Sequence, residues 1–192
     1  MAQGATWLTK HGGADGIWGK ATQKAFADFN CRFYNWPTEK QLDRFYGKPD
    51  LSTKTHPNIT YITPAYPMYL AWQPSTKLNR IAVHEKCADS LEWILHDILD
   101  FYGLDRVKHY GLDQFGGTLN VRNKRGGNTL STHAYGAAID LDPVRNQLKW
   151  GKDKSYIARH CPDLEHIFGA YGWGSLGFKY GYDFMHFEAV KL

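Results

Sequence analysis

The segment Ser131-Thr132-His133-Ala134-Tyr135-Gly136-Ala137-Ala138-Ile139-Asp140 combines a histidine in a turn, a glycine that permits close backbone approach and an aspartate on the following strand. It offers one nitrogen and one oxygen ligand to a metal. Strand alternation sends Ala138, Asp140 and Asp142 to one side and Ala137, Ile139 and Leu141 to the other, and the small Ala138 leaves room on the first side. Near the C-terminus, Asp183-Phe184-Met185-His186-Phe187-Glu188 adds a second histidine, with Glu188 on the same strand face as His186. A straight strand would turn Asp183 away, so a bend at Gly181 and Tyr182 is expected to bring it to the same cleft. Two histidines and one aspartate make the three-ligand set of a catalytic zinc, with a fourth position left for water.

The other histidines carry no comparable pattern. His84-Glu85 opens like a zincin helix, but position 88 is Ala and the second histidine is missing. His160 and His166, six residues apart on an expected helix, face different sides. Cys31, Cys87 and Cys161 lie far apart, which disfavours a disulfide framework and a thiolate zinc knuckle.

Several elements must position these groups. Leu91, Ile94, Leu95, Ile98, Leu99 and Tyr102 fall on one helical face, with Asp89 and Glu92 spaced as a capping box and Gly103 at the helix end. Residues 117–122 and 137–141 read as strands, 154–171 as a helix interrupted near Pro162, and 184–188 as a final strand. Strands and helices without regular alternation predict an α+β fold. Residues 1–48 read as a small helical module and 49–55 as a linker. Residues 56–192 then form the main domain, entered by a segment in which prolines alternate with Tyr61, Tyr66, Tyr69 and Trp72.

With 29 aromatic residues (7 Trp, 12 Tyr, 10 Phe) among 192, the chain can bury a core, and its composition argues against disorder. Its 23 Lys+Arg against 19 Asp+Glu leave a net charge of +4, too small and scattered for a nucleic-acid footprint. No segment has the length of a membrane span or the apolar core of a signal peptide, so a chain without a stable membrane anchor is expected.

The pattern SxHxxGxAxD at Ser131, His133, Gly136, Ala138 and Asp140, followed by DxxHxE at Asp183, His186 and Glu188, resembles the family of zinc D-Ala-D-Ala carboxypeptidases and L-Ala-D-Glu endopeptidases. Gly116-Gly117, Asn120-Val121-Arg122, Arg125-Gly126-Gly127, Gly172-Trp173-Gly174 and Thr63 to Met68 resemble its endolysin-like branch. The resemblance covers residues 57–192 and implies a hedgehog/DD-peptidase-like zinc domain. It further implies His133, Asp140 and His186 as zinc ligands, Asp183 as general base and acid, and Arg122 as the holder of a substrate carboxylate or oxyanion. Arg125 is a second candidate for that task. Ser131, Glu188 and Trp173 are expected to orient the ligands or touch substrate. Aspartate at position 183 leans toward an endopeptidase cutting between L-Ala and D-Glu.

Residues 14–26, with Asp15, Gly16 and Trp18, are similar to the core of a small peptidoglycan-binding domain. The expectation is therefore a phage or prophage endolysin: a monomeric zinc hydrolase of bacterial peptidoglycan, held in the host cytoplasm until a holin releases it to the wall. A D-Ala-D-Ala carboxypeptidase and a non-catalytic wall-binding virion component are the alternatives.

Overall fold

The computed structural model of the chain describes residues 34–192. Most of the expected N-terminal module, including Asp15, Gly16, Trp18 and Cys31, lies outside the described residues. Within them, helices and strands are mixed in the α+β manner. The helices are Leu42–Tyr46 (α1), Ala88–His109 (α2), Tyr156–His160 (α3), Leu164–Ala170 (α4) and Leu176–Tyr180 (α5). The strands are Ile59–Ile62 (β1), Tyr69–Leu70 (β2), Gln73–Lys77 (β3), Ile81–His84 (β4), Gln114–Gly117 (β5), Ala138–Leu141 (β6), Gly174–Ser175 (β7) and His186–Glu188 (β8). β1 and β4 form an antiparallel pair, and the others form a sheet in the order β3-β2-β5-β6-β8-β7, parallel only between β2 and β5.

The core forms because each element has one apolar face to hide. α2 buries Leu91, Ile94, Leu95, Ile98 and Tyr102, the stripe expected from the 3.6-residue period. Its helical backbone breaks at Gly103, where φ is 71° and ψ 156°, and then resumes to His109. The expected capping box is absent: helix α2 follows directly on a 3-10 turn at Glu85–Cys87, so Asp89 lies inside the first turn. The capping task falls to His84, whose Nδ1 accepts from the Lys86 N–H at 3.0 Å. The interruption near Pro162 is present, between α3 and α4.

Three further strand expectations shift. The strand expected at 117–122 is instead β5, Gln114–Gly117, because its pairing with β6 carries an irregularity between Phe115 and Gly117 and the chain then leaves the sheet. The last strand begins at His186 rather than Phe184, since the Asp183 carbonyl accepts from the His186 N–H in a turn. Asp142 does not continue the Asp140 face. β6 ends at Leu141, Asp142 takes a φ of 47°, and its carboxylate turns to Arg145 Nε at 2.5 Å.

Residues 34–46 belong to the same hydrophobic cluster as the sheet. Trp36, Leu42 and Tyr46 are buried in it; Trp36 Nε1 donates to the Tyr171 carbonyl at 2.8 Å and the Tyr46 hydroxyl to the Ala189 carbonyl at 2.6 Å. Pro49 is buried, and residues 50–55 follow as an exposed stretch pinned by an Asp50–Thr55 bridge.

Candidate metal centre and cleft

Three side chains converge where β6, β8 and a 3-10 turn at Thr132–Tyr135 meet. Gly136 ends that turn with a φ of 65°, a left-handed conformation that glycine adopts at little cost. A Cβ there would lie 2.9 Å from the His84 backbone nitrogen, so a glycine lets the turn press against β4 and still deliver His133 to the start of β6. In the β6–β8 ladder Asp140 lies opposite His186, which places their side chains together on one face.

The result is a triangle of ligand atoms. His133 Nε2 is 3.2 Å from Asp140 Oδ1 and 3.1 Å from His186 Nδ1, which is 3.0 Å from Asp140 Oδ1. Two ligands of a tetrahedral zinc, each about 2.0–2.1 Å from it, stand about 3.3–3.4 Å apart, so the triangle has nearly the size of one face of such a site. Among the described residues this is the group of His, Cys, Asp and Glu side chains able to hold a metal.

The ring nitrogens that point away from the triangle are engaged as a metal site requires. His133 Nδ1 donates to the Thr118 carbonyl at 3.0 Å, and His186 Nε2 donates to Glu188 Oε2 at 3.1 Å. Each contact protonates the outer nitrogen and turns a lone pair inward. The Thr132 hydroxyl stands 3.3 Å from the same His186 Nε2. Asp140 and Glu188 bring two negative charges that a divalent cation would balance. Although burial opposes it, the two carboxylates raise His186 to about 10 in the metal-free site. Burial likewise opposes ionisation of Asp140, but His133 and His186 hold it well below the usual carboxylate range. A bound cation would take the place of the proton on His186 Nδ1.

Because Glu188 holds His186 Nε2, Glu188→Gln is expected to weaken zinc binding about ten- to hundredfold while His133, Asp140 and His186 stay in place. Competition against a chromophoric chelator checks this; unchanged affinity would deny Glu188 that task.

Asp183 faces the same cleft from the turn before β8. Its backbone has a φ of 61°, and its Oδ1 is buried without a hydrogen-bond partner. Gly177 of α5 makes room for this turn: a Cβ there would lie 2.5 Å from Phe184 Cα. The expected bend is therefore present, with Gly181 left-handed at φ 82°. Burial pushes the Asp183 carboxyl up to about 6, with Asp140 adding to the rise and the two histidines opposing it. A carboxyl poised in that range suits proton transfer.

The cleft measures about 480 Å³. It is lined by the triad and Asp183 and also by Arg122, Arg125, Ser131 and Glu188 among the expected residues. Arg122 donates from Nη1 to the Asn123 carbonyl at 2.9 Å, and Lys124 pairs with Glu39 at the rim. Trp173 is not brought to the cleft. It is buried in the core, donates from Nε1 to Ser90 Oγ at 3.0 Å and packs edge-on against Trp36. Ser131 lines the cleft, and its main chain joins the turn to Arg122, whose carbonyl accepts from the Ser131 N–H at 3.1 Å. Sequence reasoning missed the Thr118 carbonyl and the Thr132 hydroxyl. The first is main chain and leaves no side-chain signal, whereas the second stood in view beside His133.

Residues 125–189, about a third of the chain, match the family described as D-alanyl-D-alanine carboxypeptidase. The matched stretch contains all three triad residues and Asp183 and supports a peptidoglycan-directed metallopeptidase. No curated protein and no solved structure shows significant similarity to the chain.

Proposed function

We propose that the protein is a zinc peptidase with a hedgehog/DD-peptidase-like catalytic fold, hydrolysing the L-Ala–D-Glu bond of peptidoglycan stem peptides as a phage or prophage endolysin. The observation that carries the reading is the triangle of His133, Asp140 and His186, with inward lone pairs set by Thr118 and Glu188. Zinc, when bound there, supplies the Lewis acidity that polarises the scissile carbonyl and acidifies the attacking water. Asp183 accepts the water proton on its unpartnered Oδ1 and returns it to the leaving amine nitrogen as the C–N bond breaks. Arg122 offers its guanidinium to a substrate carboxylate or to the oxygen on which charge develops, with Arg125 further out on the same loop.

In the endolysin reading the partner is bacterial peptidoglycan, the working form is a monomer, and the enzyme waits in the host cytoplasm until a holin opens the route to the wall. Among the described residues no helix is long and apolar enough to cross a membrane. Asp15, Gly16 and Trp18 would then belong to a wall-binding module.

The description of the matched family favours a second reading, a D-Ala-D-Ala carboxypeptidase. Mass spectrometry of digested wall fragments separates the two. New D-Glu amino termini are expected; release of single D-Ala would establish the carboxypeptidase instead. Zinc binding with no product of either kind would leave a wall-binding virion component.

A further inference from the structure

The cleft has two chemically different ends, one on each side of the ligand triangle. In the β6–β8 ladder Asp140 lies opposite His186 and Ala138 opposite Glu188. The chain entering β8 therefore lies toward the Leu141 end of β6, where the Leu141 N–H donates to the Met185 carbonyl at 3.0 Å. The chain leaving β8 lies toward the Ala138 end, where the Ala189 N–H donates to the Ala137 carbonyl at 2.9 Å. Lys191 follows there and bridges to Thr38, next to the Glu39 that pairs with Lys124. Arg122, Lys124, Arg125 and Lys191 thus gather at one end. Tyr180 and Tyr182 line the other.

Both tyrosines are exposed, at 54% and 45%, and neither belongs to the hydrophobic core cluster. Their centroids are 6.4 Å apart and their planes 23° from parallel, so they form a stacked, solvent-exposed aromatic pair, with the Nζ of Lys179, which does not line the cleft, 5.4 Å from the Tyr180 centroid. An aromatic face carries a negative quadrupole and attracts the weakly positive C–H face of a pyranose. If the bond at the triangle joins L-Ala to D-Glu, one residue and a lactyl ether separate it from a muramic acid ring. With an extended residue spanning about 3.5 Å, that ring falls within about 10 Å of the reacting carbon, inside or at the edge of this cleft. The ring is uncharged at its peptide-bearing lactyl group, which is amide-linked, whereas D-Glu and an acidic third residue carry free carboxylates. Neutral sugar suits the tyrosine end and carboxylates suit the cationic end.

We propose that Tyr180 and Tyr182 form a subsite for the pyranose ring of the glycan strand that carries the stem peptide. The proposal rests on the endopeptidase reading and adds a direction: the sugar-linked side of the substrate lies toward the tyrosines and the acidic side toward Arg122. A substrate still attached to glycan is then preferred over the same peptide released from it.

The test compares kcat/KM of the zinc-loaded full chain on a disaccharide-tetrapeptide and on the free tetrapeptide of the same sequence. The wild type is expected to favour the disaccharide form about tenfold, the worth of one good stacking contact. Tyr180→Ala is expected to bring the ratio close to one, and Tyr180→Phe, which keeps the ring, to restore it. A wild-type ratio near one, or equal losses on both substrates in Tyr180→Ala, would overturn the subsite while leaving the endopeptidase reading in place. Release of D-Ala from both substrates, with no new D-Glu amino terminus, would overturn that reading and the binding direction with it.

Discussion

Asp183→Asn is expected to lower turnover of wall fragments by about 10²–10⁴, the range for loss of a general base, while zinc stoichiometry stays at that of the wild type. Asn is a safe replacement for the fold because it tolerates the left-handed backbone that Asp183 adopts at φ 61°. The same substitution has a second readout in the metal-free protein. Asp183 has a folded-state pKa of about 6, above its unfolded value of 3.8, chiefly because it is buried. Its ionisation is then disfavoured in the fold, so the associated stability is complete below about pH 3.8 and is lost as pH rises through about 6. At pH 7 the metal-free Asn variant is expected to be more stable than the wild type by about 1–3 kcal/mol, and at pH 3.5 the difference should vanish. A cation at the triad would draw the Asp183 pKa down, placing the acid limb of kcat/KM in the loaded enzyme below pH 6. Equal turnover in the two proteins would remove Asp183 from the mechanism.

His133→Ala and His186→Ala are each expected to abolish stoichiometric zinc binding and to cut turnover about a thousandfold or more, since several kcal/mol of transition-state stabilisation go with the metal. Elemental analysis of dialysed protein reads the first effect, and full occupancy in both variants would sink the ligand assignment. Their metal-free stabilities should diverge. His186 contacts both Asp140 and Glu188, so its removal leaves the buried Glu188 without its cationic partner and Asp140 with His133 alone. His133 contacts the Thr118 carbonyl and Asp140, and its loss leaves the His186–Glu188 pair intact. His186→Ala should therefore melt well below His133→Ala in the presence of chelator and at neutral pH.

The convergence of His133, Asp140 and His186 was legible because strand alternation and chain order constrain them. Asp140 and His186 each sit on a short strand, and antiparallel pairing puts their side chains on one face once the strands are adjacent. Asp183 was legible for the opposite reason: its residue type suited the chemistry while its place in a straight strand did not, which demanded the bend that Gly181 begins. What stayed hidden depends on main chain and burial. The Thr118 carbonyl reaches His133 only because the chain leaves the sheet after Gly117, an exit that β-propensity does not encode. Trp173 sits between glycines as a cleft residue might, yet its indole fills the space between α2 and α4 and finds Ser90 for its N–H. The capping-box spacing at Asp89 and Glu92 was a true local signal overridden by the preceding turn, which had already supplied a cap.

The packing of residues 34–46 into the core bears on how the described domain can be joined to a foreign module. A graft that begins after residue 48, where composition changes, would strip Trp36, Leu42 and Tyr46 from the core and leave the Ala189 carbonyl, one residue beyond Glu188, without its hydroxyl partner. The transplantable unit includes the chain from Tyr34 onward, so its junction with a foreign module belongs upstream of the point that the sequence marks as a linker.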